Sequence, residues 1–75
     1  METENAVIDI ISEKFSIKKE KISAATTMRE IGADSLDVVD VVAELEQKFA
    51  IRVSDDEIDA IRTVADMAEC VSRHL

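Results

Sequence analysis

The segment IGADSLDVVDVV, residues 31–42, holds the side chains most able to do chemistry. Ser35 lies between Asp34 and Asp37, and the chain's single glycine, Gly32, precedes them. A catalytic serine needs a positioned base and usually an oxyanion hole, whereas the single histidine, His74, lies near the other end of the sequence. Nucleophilic catalysis is therefore not expected, and the chain is predicted not to be an enzyme.

Two other roles are open to Ser35. If Asp34 is the N-cap of a helix, Ser35 takes the first helical position and Asp37 the third, from which its carboxylate can reach back to a free backbone N–H. The simplest interpretation is that Asp34 and Ser35 only cap this helix. The alternative is that the hydroxyl carries a phosphate ester, because the helix dipole and the unpaired N–H groups favour negative charge at this end.

Candidate metal ligands are poorly spaced along the chain. Asp34, Asp37 and Asp40 recur at helical spacing and lack the glycine-containing loop and final glutamate of an EF-hand. The single cysteine, Cys70, cannot form an internal disulfide, and it has no metal-ligand spacing with His74. We therefore expect no specific metal site, only diffuse binding of divalent cations to the acidic face, and we expect Cys70 and His74 to be ordinary helix residues.

Helices must position these residues, and their limits come from caps and periodicity because proline is absent. A first amphipathic helix is predicted up to about Phe15. Thr63 and Asp66 resemble a capping box at the start of a last helix, and SDDE, residues 54–57, is a closer match that opens a short helix carrying Ile58 and Ile61. The last helix is predicted to bury an apolar stripe of Val64, Met67, Ala68, Val71 and Leu75.

The longest helical pattern runs from about Ser35 to Phe49 and has two apolar faces. The face predicted to pack inward carries Val38, Val41, Val42, Leu45 and Phe49. Leu36, Val39 and Ala43 lie on another side with acidic neighbours, and so small a bundle has too few helices to cover both faces. Scattered surface hydrophobic residues are common, but an apolar strip rimmed by acids also suits the groove of a basic partner. The position of the strip beside Ser35 favours the second interpretation.

A long connection, residues 16–34, separates the first two helices. Its aliphatic residues Ile17, Ile22, Met28 and Ile31 can anchor it to the bundle, so we expect an omega-like loop packed by its own side chains. The end of this loop leads directly to Ser35.

Composition limits the class of protein and its partners. The chain has 75 residues, enough for a single small domain, and its net charge of −8 disfavours nucleic acid and anionic membrane surfaces. Hydrophobic residues make up 47% of the chain, too many for a disordered acidic segment, and the even spread of charge excludes a membrane span. With Met1 at the start and no positively charged, apolar leader, a cytoplasmic location is expected. The expected oligomeric state is a monomer.

The sequence resembles the acyl carrier proteins of fatty-acid and polyketide synthesis. GADSLD, residues 32–37, matches the attachment motif of that family, and the resemblance continues through ELEQKF, SDDE and RTVADM over nearly the whole chain. It implies an all-α four-helix bundle with a long loop between helices one and two and a short third helix, forming one carrier domain over residues 1–75. It also implies that a separate phosphopantetheinyl transferase attaches 4′-phosphopantetheine from coenzyme A to Ser35.

The same resemblance implies a docking role for the second helix. The arm's thiol would hold acyl groups as thioesters, and basic patches on acyl-transferring and chain-elongating enzymes would bind the acidic helix. The partner-facing positions of the family fall on Asp34, Leu36, Asp37, Val39, Asp40, Ala43 and Glu46. These positions coincide with the second apolar strip. Gln47 and Lys48 depart from the commonly acidic pattern, which leaves the pathway served by the carrier open.

The predicted core is mostly aliphatic, since Phe15 and Phe49 are its only aromatic residues. A cavity between such helices suits an alkyl guest, and Val42, Leu45, Ile58 and Ile61 are the expected wall. Two alternatives to acyl carriage stay open. One keeps the arm but changes the cargo to an aminoacyl group, as in stand-alone peptidyl or D-alanyl carriers. The other is a helical adaptor without any covalent group.

Overall fold

The computed structural model describes residues 2–75, which form helices α1 (Glu2–Phe15), α2 (Ser35–Phe49), α3 (Asp55–Asp59) and α4 (Val64–Arg73). A short 3₁₀ helix, Lys19–Lys21, interrupts the loop between α1 and α2. The described residues hold no strand, only an isolated antiparallel bridge between Thr27 and Thr63. The predicted all-α fold, with its long first loop and short third helix, is confirmed. Between residues 2 and 75, no helix is long and apolar enough to cross a bilayer.

Capping boxes begin three of the helices. In each box the N-cap side chain accepts from the N–H three residues later, and the side chain at that position accepts from the N-cap N–H. The pairs are Asp34 with Asp37, Ser54 with Glu57, and Thr63 with Asp66. Because these contacts are local in sequence, the starts of α2, α3 and α4 lie where their cap residues predict.

One apolar core joins the helices, with α1 packed mainly against α4. The inner face of α2 contributes Val38, Val41, Val42 and Leu45 to it, as predicted, while Phe49 is half-buried at its margin. Two details of the predicted helices are wrong. Leu75 lies beyond the end of α4 and is 68% exposed, and Ile61 follows the end of α3 although its side chain is buried.

The loop over residues 16–34 is fastened to the start of α4. Ile22 and Met28 are buried in the core, and Ile17 and Ile31 are partly buried against it. The Met28 N–H donates to the Arg62 carbonyl at 2.9 Å, and the Val64 N–H donates to the Thr26 carbonyl at 3.0 Å. The loop therefore has a defined path, which delivers the chain to the first residue of α2.

Candidate functional site

Ser35 is the first residue of α2, and its side chain is exposed. The Asp34 carboxylate accepts from the Asp37 N–H at 2.9 Å, and Asp37 accepts from the Asp34 N–H at 3.1 Å. Just before this cap, Gly32 has a φ of 76° and donates its N–H to the Arg29 carbonyl. A left-handed residue favours glycine, so Gly32 allows the turn that directs the chain into the helix.

The Ser35 hydroxyl lies at the positively polarised end of α2. Within residues 2–75, no hydrogen bond joins the Ser35 hydroxyl to a base, and the His74 ring is engaged with Glu57 instead. The first N–H groups of α2 have no carbonyl partner in the helix, and the helix dipole places partial positive charge beside them. A phosphate ester on Ser35 would therefore meet partial positive charge from the backbone, next to the two carboxylates of the capping box.

A cleft of about 250 Å³ opens beside Ser35. Its lining comes from the end of the first loop, the start of α2 and the segment around α3: Met28, Ala33, Asp34, Ser35, Val38, Val39, Ile58, Asp59, Ile61 and Arg62. Of the predicted wall, Ile58 and Ile61 line the cleft. Val42 and Leu45 are buried in the core and do not reach its surface.

Five residues that line this cleft were not predicted as part of its wall or of the site: Met28, Ala33, Val38, Asp59 and Arg62. Met28 and Arg62 come close to Ser35 because the first loop docks against the start of α4, a contact between segments that are far apart along the chain. Arg62 adds a cation to an otherwise acidic mouth, and its guanidinium donates to the Asp59 carbonyl at 2.6 Å.

We use the term docking face for Asp34, Leu36, Asp37, Val39, Asp40, Ala43 and Glu46. Leu36 is 73% exposed and Val39 is 45% exposed, so the apolar strip of α2 is uncovered as predicted. Three of its acids also have structural contacts. Asp34 and Asp37 form the α2 capping box, and Glu46 accepts from the Val53 N–H at 2.9 Å. Asp40 is exposed. The hydrogen bond to Glu44 is the main cause that raises the pKa of Lys14, and the negative charge of Asp40 adds a smaller contribution.

A second polar cluster lies between α3 and the end of α4. Glu57 Oε2 is 2.6 Å from His74 Nε2 and accepts a hydrogen bond from the Cys70 thiol at 3.5 Å. The hydrogen bond with His74 is the main cause that lowers the pKa of Glu57 to about 2, and hydrogen bonds from Ser54 are the next largest cause. Burial is the main cause that raises the pKa of Cys70. Sequence reasoning missed this cluster because Glu57 is far along the chain from both partners.

Comparison with known proteins agrees with this geometry. Residues 5–71 match the protein-family model described as "Phosphopantetheine attachment site". The chain is 34% identical to an acyl carrier protein of Lactobacillus acidophilus, covering 93% of this chain and 89% of that protein. It is 36% identical to an acyl carrier protein of Syntrophobacter fumaroxidans, covering 91% and 85% of the two chains. The crystal structure of an acyl carrier protein from Thermotoga maritima superposes with a TM-score of 0.79 at 38% identity, covering 91% of this chain and 80% of the other.

Proposed function

The chain belongs to the acyl carrier protein family, and we propose that Ser35 is the residue of this protein that bears its 4′-phosphopantetheine arm. When bound, the arm supplies the thiol on which acyl groups are carried as thioesters. The observation that supports Ser35 most directly is its exposed hydroxyl at the start of α2, beside an apolar cleft. Its Oγ would become the ester oxygen, and residues 1–75 would form a single carrier domain.

The chain's own residues would hold and orient this attachment. The Asp34–Asp37 capping box keeps the first turn of α2 formed, so the Ser35 hydroxyl has a fixed position for a transferase. Ile58 and Ile61 offer apolar surface to an acyl chain, and each methylene buried there contributes about 0.8 kcal/mol. Val42 and Leu45 would join the wall only if the helices moved apart.

The docking face is proposed to bind the transferase and the enzymes that transfer or elongate acyl groups. Its apolar strip is narrow and carries acidic neighbours, so basic patches on those enzymes would be attracted to it over a distance. The protein would carry the acyl group, and these enzymes would catalyse the reactions on it. We also propose that it works as a cytoplasmic monomer.

Mass spectrometry tests the attachment residue. Incubation with coenzyme A and a broad-specificity phosphopantetheinyl transferase should add one arm to the intact protein and none to Ser35→Ala, which should fold normally because Asp34 still caps α2. Ser23→Ala, which removes an exposed hydroxyl from the first loop, is the matched control and should load fully. An arm on Ser35→Ala would show that another residue is the site. No arm on the unaltered protein would favour the helical adaptor.

Charge reversal tests the docking face. Asp40→Lys is the sharpest variant because the Asp37 and Glu46 carboxylates also hold backbone N–H groups. It should slow loading of the arm, and more at low salt than at high salt, since screening weakens electrostatic attraction. Glu13→Lys changes the net charge equally from an exposed position on α1 and should have the smaller effect. Equal low-salt rates for the two variants would refute a docking role for Asp40.

A further inference from the structure

Glu57, Cys70 and His74 bring three kinds of metal ligand to one place. Their carboxylate, thiol and imidazole ligand atoms all lie within 4.8 Å of one another. Cys70 and His74 are four residues apart, so they share one side of the end of α4, while Glu57 comes from α3. Cysteine, histidine and carboxylate side chains together are a donor set typical of Zn²⁺.

We propose that Glu57, Cys70 and His74 form a zinc-binding site, with solvent at the fourth position of the ion. Binding would release the Cys70 thiol proton to solvent as the zinc–sulfur bond forms. His74 would bind as the neutral ring through Nε2, and the proton that Nε2 shares with Glu57 would be given up to solvent while Nδ1 keeps a proton. Two anionic ligands and one neutral imidazole then balance the charge of the divalent ion. This inference departs from the expectation of no metal site, which depended on spacing along the chain.

Two of the three distances between the ligand atoms can be compared with those of a zinc site, and the third, between Cys70 and His74, lies within 4.8 Å. Zinc bonds of about 2.3 Å to sulfur and about 2.0 Å to oxygen place these two atoms about 3.5 Å apart in a tetrahedral site. The Glu57 Oε2 to Cys70 Sγ distance is 3.5 Å. The same geometry separates oxygen and nitrogen by about 3.3 Å, so the His74 ring must move about 0.7 Å away from Glu57. His74 is the C-cap residue of α4 and is exposed, so this movement disturbs no core packing.

The orientation of Glu57 is already set by its neighbours. Its Oε1 accepts from the Ser54 N–H at 3.2 Å and from the Ser54 hydroxyl at 3.0 Å, which leaves Oε2 directed at Cys70 and His74. Hydrogen bonds of this kind to a ligating carboxylate fix its position and strengthen metal binding. A zinc ion would therefore join α3, which buries no residue fully, to α4.

Titration of the reduced protein with Zn²⁺, in competition with a chromophoric chelator, tests the site. The titration should use the Ser35→Ala variant. Without Ser35 the protein is not expected to carry the arm, whose thiol would compete for zinc, so Cys70 is the single thiol. Excess Mg²⁺ in the buffer occupies the acidic surface. We expect one equivalent of Zn²⁺ to bind, and Co²⁺ in the same site should show thiolate-to-metal charge-transfer absorption.

Three variants remove one ligand each: Cys70→Ser, His74→Gln and Glu57→Gln. Glutamine at residue 57 can still complete the capping box, so α3 should remain folded. Each variant should bind Zn²⁺ at least about tenfold more weakly. Glu69→Gln, which removes a nearby exposed acid of α4, is the control and should bind as the parent does. Unchanged affinity in Cys70→Ser or in His74→Gln, or a cobalt complex without thiolate absorption, would overturn the proposal.

Discussion

Replacing Asp34 by alanine removes the cap that holds Ser35 at the start of α2. The side chain accepts from the Asp37 N–H at 2.9 Å, and its loss leaves that donor to solvent. The loss of such an N-cap costs about 1 kcal/mol of unfolding free energy, within a range of about 0.5–2 kcal/mol. In a domain of this size, 1 kcal/mol lowers the melting temperature by about 4–8 °C. We expect Asp34→Ala to melt about 4–8 °C below the unaltered protein and to accept the arm more slowly, because the first turn of α2 frays.

The variant Asp34→Asn keeps the helix cap but removes the negative charge of residue 34. Asparagine caps helices about as well as aspartate, so this variant should melt within about 2 °C of the unaltered protein. It also removes a negative charge from the docking face, so its loading should be slower at low salt and normal at high salt. Calorimetric melting at neutral pH and intact-mass measurement of loading at two salt concentrations give both readouts.

Two results would refute this reasoning about Asp34. Equal destabilisation of the asparagine and alanine variants would show that charge at the start of α2, rather than the hydrogen bond, stabilises the helix. A melting temperature of Asp34→Ala equal to that of the unaltered protein would show that the cap contributes nothing measurable.

Two further predictions concern stability. The net charge of −8 on so small a bundle causes self-repulsion, so added salt or Mg²⁺ should raise the melting temperature, and a melting temperature indifferent to both would contradict this. Hydrogen bonds from the Arg62 N–H, and then from Thr63, lower the pKa of Asp66 below its ordinary 3.8. Because the depressed pKa belongs to the folded state, its stabilising contribution is present above pH 3.8 and is lost as pH falls through the lower folded value. Urea unfolding should therefore show a weaker acid dependence in Asp66→Asn, and identical pH profiles would exclude this role.

Local interactions explain which parts of the fold were predictable. Each predicted capping box joins residues three apart, so the starts of α2, α3 and α4 depend on short segments alone. The inner stripe of α2 follows from helical periodicity in the same way. The predicted ends were less accurate, because α3 stops before Ile61 and α4 before Leu75 without glycine or proline to mark the boundaries.

The sequence by itself determined where the helices begin, the position of Ser35 as the first residue of α2, and the apolar strip with acidic neighbours beside it. Each of these features depends on residues close along the chain. Only the tertiary structure decided which side chains surround the cleft. Docking of the first loop brings Met28 and Arg62 to Ser35, while close packing keeps Leu45 beneath the cleft surface. The tertiary structure also brings Glu57 into contact with Cys70 and His74. The relative placement of α3 and α4 depends on the shared core rather than on either helix alone.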